Sequence, residues 1–138
     1  MIRLISVMHT GTRFVQECLI NAGFQKTDSY YGNGDFVLFV GDLSNPRKNV
    51  LRLIDAARRC GLPLVLIGAL TDTPYGMSVR RAITTSKDIK YLGAIPSREM
   101  PSRNVLLSAM KCCRVFALPS LMEGIGMSAV EAGALGAK

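Results

Sequence analysis

Short apolar runs alternate along this chain with longer amphipathic segments, and glycine or proline punctuates the joins. Leu4–Met8 is the first candidate strand. The segment from Arg13 to Ala22 has helical spacing, with Gly23 placed to stop it. Phe36-Val-Leu-Phe-Val40 is continuously apolar and rich in β-branched and aromatic residues, the pattern of a strand covered on both faces. In the turn that follows, Ser44 or Asn45 can cap the next helix and Pro46 suits its first turn. That helix is predicted over Arg47–Cys60, with Val50, Leu53, Ile54 and Ala57 on one face and Gly61 as its stop. Leu64–Ile67 reads as another buried strand. A turn at Thr73-Pro-Tyr-Gly76 then leads into a short helix near Met77–Ile83. Ile89–Leu92 is a strand closed by Gly93. Ser102–Cys112 is a helix with Val105, Leu106 and Ala109 inward, Arg114–Leu118 a strand, and Ser128–Leu135 the start of a further helix.

Strand–helix alternation of this kind predicts an α/β fold: a mostly parallel sheet with helices on both faces. The chain has 138 residues, enough for one domain with a real core. The polar, glycine-containing stretch Gln25–Asp35 looks like a connector. It divides an N-terminal strand–loop–helix (residues 1–35) from the main unit (residues 36–138). No apolar run has the length of a membrane span. The N-terminus lacks the basic start and long apolar centre of a signal peptide, which makes the cytoplasm the expected compartment.

A net charge of +7 suits phosphate-bearing ligands or an anionic membrane surface, where the protein could sit peripherally. The basic residues are scattered rather than massed, so most belong to solvated helix faces and nucleic acid is not the expected partner. Cys18, Cys60, Cys112 and Cys113 show no metal-ligand spacing and read as reduced structural thiols; no metal or cofactor is implied.

In parallel α/β sheets, ligands bind beyond the carboxyl ends of the strands. The loops there are His9–Thr12, Gly41–Lys48, Gly68–Gly76, Gly93–Arg98 and Pro119–Ser128. The last one carries the densest chemistry. Glu123 and Glu131 flank a Gly-x-Gly turn directly after an apolar run, so a carboxylate and several backbone N–H groups can face one polar ligand. Each glycine alone is explained as well by close packing of strand on helix.

In order along the chain, Phe36–Gly41 followed by Arg47-Lys48-Asn49-Val50, then Leu64–Gly68, Tyr91–Gly93, Val115–Ser120, and Glu123-Gly-Ile-Gly126 through Glu131-Ala132 resemble one family. It is the C-terminal half of GT-B glycosyltransferases of the retaining family-four (group 1) type. The resemblance covers residues 36–138. It implies a Rossmann-like domain that binds a nucleotide-diphosphate sugar for transfer, with retention, to an acceptor that could be a glycan, a lipid or a small molecule.

By the same resemblance, Lys48 contacts the diphosphate, and the amides of Gly124, Ile125, Gly126 and Met127 hold phosphate or sugar hydroxyls. Glu123 contacts the donor sugar and Glu131 the ribose hydroxyls, while Gly93–Ile95 lies against the nucleobase. Lys48 and Glu123 are the expected catalytic pair, and Gly41 opens the phosphate loop. A carboxylate suits a vicinal diol because it accepts two hydrogen bonds at once. A lysine in a helix's first turn is poorly placed for the helix dipole, which favours the functional role for Lys48.

Two departures stand out. Asp42 occupies the position where the family carries a diphosphate-binding arginine, leaving Arg47 as the candidate replacement. The family's domain also continues into a further strand and closing helix, so a domain incomplete at its C-terminus is expected, with self-association through the exposed sheet edge. Met1–Phe24 resembles the opening of the same enzymes' acceptor domain. Alternatives are a non-catalytic nucleotide-binding module, a subunit completed by a partner chain, or a sulfotransferase-like phosphate loop at His9-Thr-Gly-Thr-Arg13.

Overall fold

The structure, a computed structural model, describes residues 34–96 and 102–138. The strand at Leu4–Met8, the helix at Arg13–Ala22 and the His9–Arg13 loop lie outside the described residues. Four parallel strands form one sheet: β1 (Val37–Val40), β2 (Leu64–Ile67), β3 (Ile89–Tyr91) and β4 (Val115–Phe116), in the spatial order β3-β2-β1-β4. Val37 stands opposite Leu64 on one side and Val115 on the other, and Leu64 opposite Ile89. Helices α1 (Val50–Cys60), α2 (Pro74–Thr84), α3 (Ser102–Cys112) and α4 (Met127–Ala134) alternate with the strands.

The continuous apolar runs arise because both faces of the sheet are covered, and the side-chain alternation of a strand sorts them. Val37, Phe39, Leu64 and Leu66 pack with Val50, Ile54 and Ala57 of α1 and Val79 of α2. Phe36, Leu38, Val65 and Ile67 pack with Leu106, Ala109 and Met110 of α3 and with Ala132 of α4. All four residues of β2 are buried, as befits a strand flanked on both sides and both faces. The expected α/β architecture with helices on both faces is present.

Several boundaries differ from the sequence reading. The helix expected over Arg47–Cys60 is divided into a 3-10 turn at Pro46–Lys48, a left-handed residue at Asn49 (φ 55°, ψ 34°), and then α1. Asparagine is among the few non-glycine residues that adopt this conformation readily. Of the two candidate caps, Asn45 caps the 3-10 turn, its Oδ1 accepting from the Arg47 N–H at 3.0 Å, whereas α1 itself has no side-chain cap. Ser44 is buried and ties two loops instead: its Oγ accepts from the Thr71 N–H and donates to the Thr71 carbonyl.

Helix α2 begins at Pro74, earlier than expected. Thr73 Oγ1 accepts from the Gly76 N–H and Pro74 opens the first turn, so the Thr-Pro pair is a helix start rather than a free turn. Strand β4 is shorter than the predicted Arg114–Leu118, although Arg114 N–H to Phe36 O and Ala117 N–H to Leu38 O continue its bonding to β1. Its outer side receives the chain's own end, with Phe116 N–H donating to Lys138 O at 2.7 Å.

Cys60, Cys112 and Cys113 are free thiols, and Cys113 is buried. Burial, reinforced by neighbouring Cys112, pushes the Cys113 thiol up to about 11. Since the thiolate is the reactive form, mass-mapped alkylation of the native chain at neutral pH should label exposed Cys60 well before Cys113. Equal rates would mean that the α3 face opens on the labelling timescale.

Candidate functional site

Along the sheet, the chain runs from β1 outward through β2 to β3, then returns to place β4 on the other side of β1. The segments leaving β1 and β4 therefore diverge: α1 packs on one face of the sheet and α4 on the other. A crevice forms between such diverging loops at the carboxyl ends of the strands, the topological switch point where open α/β sheets bind ligands.

Four contacts span or line that crevice. Lys48, in the turn after β1, places its Nζ 2.5 Å from Glu123 Oε1 in the loop after β4. Ser120 Oγ donates to the same carboxylate oxygen, also at 2.5 Å. Asn49 Nδ2 reaches the Pro119 carbonyl at 3.3 Å, and the Leu121 N–H donates to the Arg47 carbonyl at 2.8 Å. The break at Asn49 lies between Lys48 and α1, so the lysine is carried by the 3-10 turn and not by the helix's first turn. The dipole argument for Lys48 therefore gives way to direct geometry.

The Lys48 and Glu123 side chains keep 22% and 26% of their accessible surface, enough for a ligand to reach them. The hydrogen bond from Lys48, and after it the one from Ser120, holds the Glu123 carboxyl below the usual glutamate value of 4.5. A lowered carboxyl favours the ionised pair. The pair is thus fully formed above the ordinary glutamate range and is lost only as pH falls through the lowered value.

Beyond Glu123 the backbone is unusually open. The N–H groups of Gly124, Ile125, Gly126, Met127 and Ser128 make no hydrogen bond within the described residues. Gly126 is the N-cap of α4 and offers no side-chain cap, so these donors and the positive helix end are available to an anion. Glu131 lies one turn into α4, exposed, with no side-chain partner among the described residues. Large apolar side chains surround the same loop: Leu121, Met122, Ile125, Met127 and Val130 are all exposed, Ile125 at 77%.

The other expected residues are more dispersed. Gly41 follows β1, its N–H bonded to Ile67 O, and Arg47 is exposed without a side-chain partner among the described residues. Asp42 Oδ1 accepts from the Ser44 N–H at 2.9 Å, which fixes this carboxylate inside its own turn. Gly93 and Ile95 follow β3, two strands from β1, or roughly 10 Å at the usual strand spacing. Ile95 packs its side chain against the core cluster that α3 and α4 share. Ser120 and Asn49 lie inside segments that resemble the family's site, but the sequence reading gave neither a role of its own.

No group of three or more histidine, cysteine or acidic side chains that could hold a metal occurs among the described residues. None of the described helices is long and apolar enough to cross a membrane.

A parallel sheet covered on both faces, with a cation, a carboxylate and free backbone donors at its switch point, defines a Rossmann-like α/β domain. Residues 34–137 match the family described as Glycosyl transferases group 1, and the chain belongs to that family, with a GT-B-type fold. A solved structure of AviGT4, a glycosyltransferase involved in avilamycin A biosynthesis, is similar to this chain at TM-score 0.58 and 21% identity. That similarity covers 75% of this chain and 31% of AviGT4, and so concerns the fold. No curated protein matches the chain significantly.

Proposed function

We propose that this domain binds a nucleoside-diphosphate sugar at the switch-point crevice and supplies the donor half of a retaining glycosyl transfer. The observation that carries the reading is the contact of Lys48 with Glu123 across the crevice, beside the unpaired N–H groups of Gly124–Met127. A diphosphate leaving group gains negative charge as the glycosidic bond breaks, and fixed donors in a partly dry site stabilise that charge. In this reading Lys48 and the Gly124–Met127 amides hold the diphosphate, with Arg47 supplying the charge that Asp42 does not. Glu123 accepts from the sugar hydroxyls and Glu131 from the ribose diol. The backbone of Gly93–Ile95 lines the base, and the Gly41 turn lets the diphosphate approach β1.

The transfer itself breaks the bond from the anomeric carbon to the β-phosphate oxygen and forms one to the acceptor oxygen on the same face. The acceptor's proton passes to the departing phosphate. The acceptor is a glycan, a lipid or a small molecule, and the reaction takes place in the cytoplasm or at the membrane surface.

A second reading draws on the exposed apolar rim at Leu121, Met122, Ile125, Met127 and Val130. Exposed apolar surface of this kind marks an interaction site, which fits a donor-binding module completed by a partner chain or by self-association. Calorimetric titration with uridine, guanosine and adenosine diphosphates tests both readings. At least one should bind, and Glu131→Ala should weaken it about ten-fold or more through loss of the ribose contact. Binding of equal strength in the variant would remove the ribose role. Transfer or donor hydrolysis by the chain alone favours the enzyme over the module.

A further inference from the structure

The sequence reading gives Ser120 no role of its own, yet its hydroxyl makes one of the shortest polar contacts among the described residues, to Glu123 Oε1 at 2.5 Å. Lys48 Nζ bonds the same oxygen. A carboxylate oxygen offers about two acceptor positions, so Oε1 is filled by these two donors. Glu123 Oε2 has no partner among the described residues. The two donors come from different directions in the fold, Lys48 from the turn after β1 and Ser120 from the loop after β4 that carries Glu123 itself. Lys48 alone is a flexible tether with free rotation about its stem, whereas Ser120 sits three residues from Glu123 on a loop pinned by the Pro119 and Leu121 backbone contacts.

We infer that Ser120 is a positioning residue: it holds Glu123 with one oxygen occupied, so that the other is presented as the acceptor for the donor's sugar hydroxyls. A carboxylate locked this way discriminates a sugar-bearing diphosphate from a bare one, because only the sugar addresses the free oxygen. Loss of the Ser120 hydroxyl lets Lys48 engage both oxygens in turn, and the sugar then competes with the ammonium for them. The inference rests on the proposed donor site, but the Ser120–Glu123 contact is testable without any ligand. Of the charged side chains at this rim, Lys48 is the one bonded to Glu123; Asp42, Arg47 and Glu131 make no bond to it.

The test uses the full chain with carboxyl-13C-labelled glutamate, comparing wild type, Ser120→Ala and Ser120→Thr. The Glu123 midpoint should rise towards the ordinary glutamate value in Ser120→Ala and return in Ser120→Thr. In parallel, uridine diphosphate and its glucose ester are titrated, or the guanosine or adenosine pair where that nucleotide binds. Ser120→Ala should weaken the sugar ester about ten-fold and the bare diphosphate less than about two-fold, with recovery in Ser120→Thr. An unchanged Glu123 midpoint in Ser120→Ala overturns the inference, as does equal weakening of both ligands. If wild type binds no diphosphate at all, the donor-site reading fails. The midpoint shift alone then decides whether Ser120 positions Glu123.

Discussion

Replacing Lys48 with alanine should lower affinity for a nucleoside diphosphate about 100-fold, the largest effect of any single change at the crevice. Two losses combine. The first is a charge-assisted hydrogen bond to phosphate, typically worth about 1.5–3 kcal/mol. The second is the release of Glu123, whose Oε1 the ammonium now engages. Without Lys48 the ionised carboxylate stands uncompensated beside an incoming polyanion and repels it. The double variant Lys48→Ala/Glu123→Gln removes that repulsion, and should therefore bind the bare diphosphate more tightly than Lys48→Ala alone. Such non-additivity between residues in direct contact is expected. Strictly additive losses would show that the two side chains act on different ligands or on none. The effect should shrink as salt rises, since a surface-accessible pair is screened.

Gly68→Ala should be the most damaging single methyl that can be added near the crevice. Gly68 follows β2 at φ +146°, and a Cβ built there would stand 1.7 Å from the Gly41 carbonyl oxygen and 2.7 Å from its carbon. The obstruction is backbone at the end of the neighbouring strand, which cannot step aside as a flexible side chain would. Gly68 is also held on its other side, with its N–H donating to Gly93 O and its carbonyl accepting from Tyr91 Oη at 3.0 Å. Relief requires β1 and β2 to part at their carboxyl ends, where the loop that carries Lys48 begins. The expected cost is about 4 kcal/mol or more, a large part of a typical domain's ~5–15 kcal/mol. Gly61→Ala is the control. It also has a positive φ (61°), but open space surrounds its Cβ position, so the cost should be about 1 kcal/mol. Thermal unfolding followed by circular dichroism ranks the two. A Gly68→Ala protein that melts with Gly61→Ala would mean that the close approach to Gly41 is not maintained in solution.

Much of the fold was legible because burial on both faces leaves a direct mark. Strands β1 and β2 are unbroken apolar runs, and the helix stop at Gly61 and the cap at Asn45 follow from local backbone chemistry. The errors fall where local rules allow two outcomes. Asn49 is compatible with a helix interior and with a left-handed bend; the hydrogen bond its side-chain amide donates to the Pro119 carbonyl, far along the chain, accompanies the bend. Thr73-Pro74 is both a turn signal and a helix start, and the Gly76 N–H bonding back to Thr73 marks it as the start. The short β4 reflects a partner strand that it matches for only two ladder positions, Val115 and Phe116.

The site divides in the same way. Lys48, Glu123 and the Gly-rich turn could be recognised as a set from their order along the chain. That Lys48 and Glu123 touch, 75 positions apart in the sequence, is a product of the crossover at β1 and has no local signature. The role of Ser120 was hidden for the opposite reason. It lies in a segment that resembles the family, but a serine beside a proline in a loop is commonplace, and its bond to the Glu123 carboxylate is what gives it a role.

The most direct test is an amide NMR titration of the 15N-labelled full chain with uridine, guanosine and adenosine diphosphates. With at least one of them, the largest shifts are expected at Lys48, at Gly124–Ser128 and around Glu131, and they should vanish in Lys48→Ala. Shifts confined to the His9–Arg13 loop, lost on changing Thr12 or Arg13 but intact in Lys48→Ala, would contradict the account.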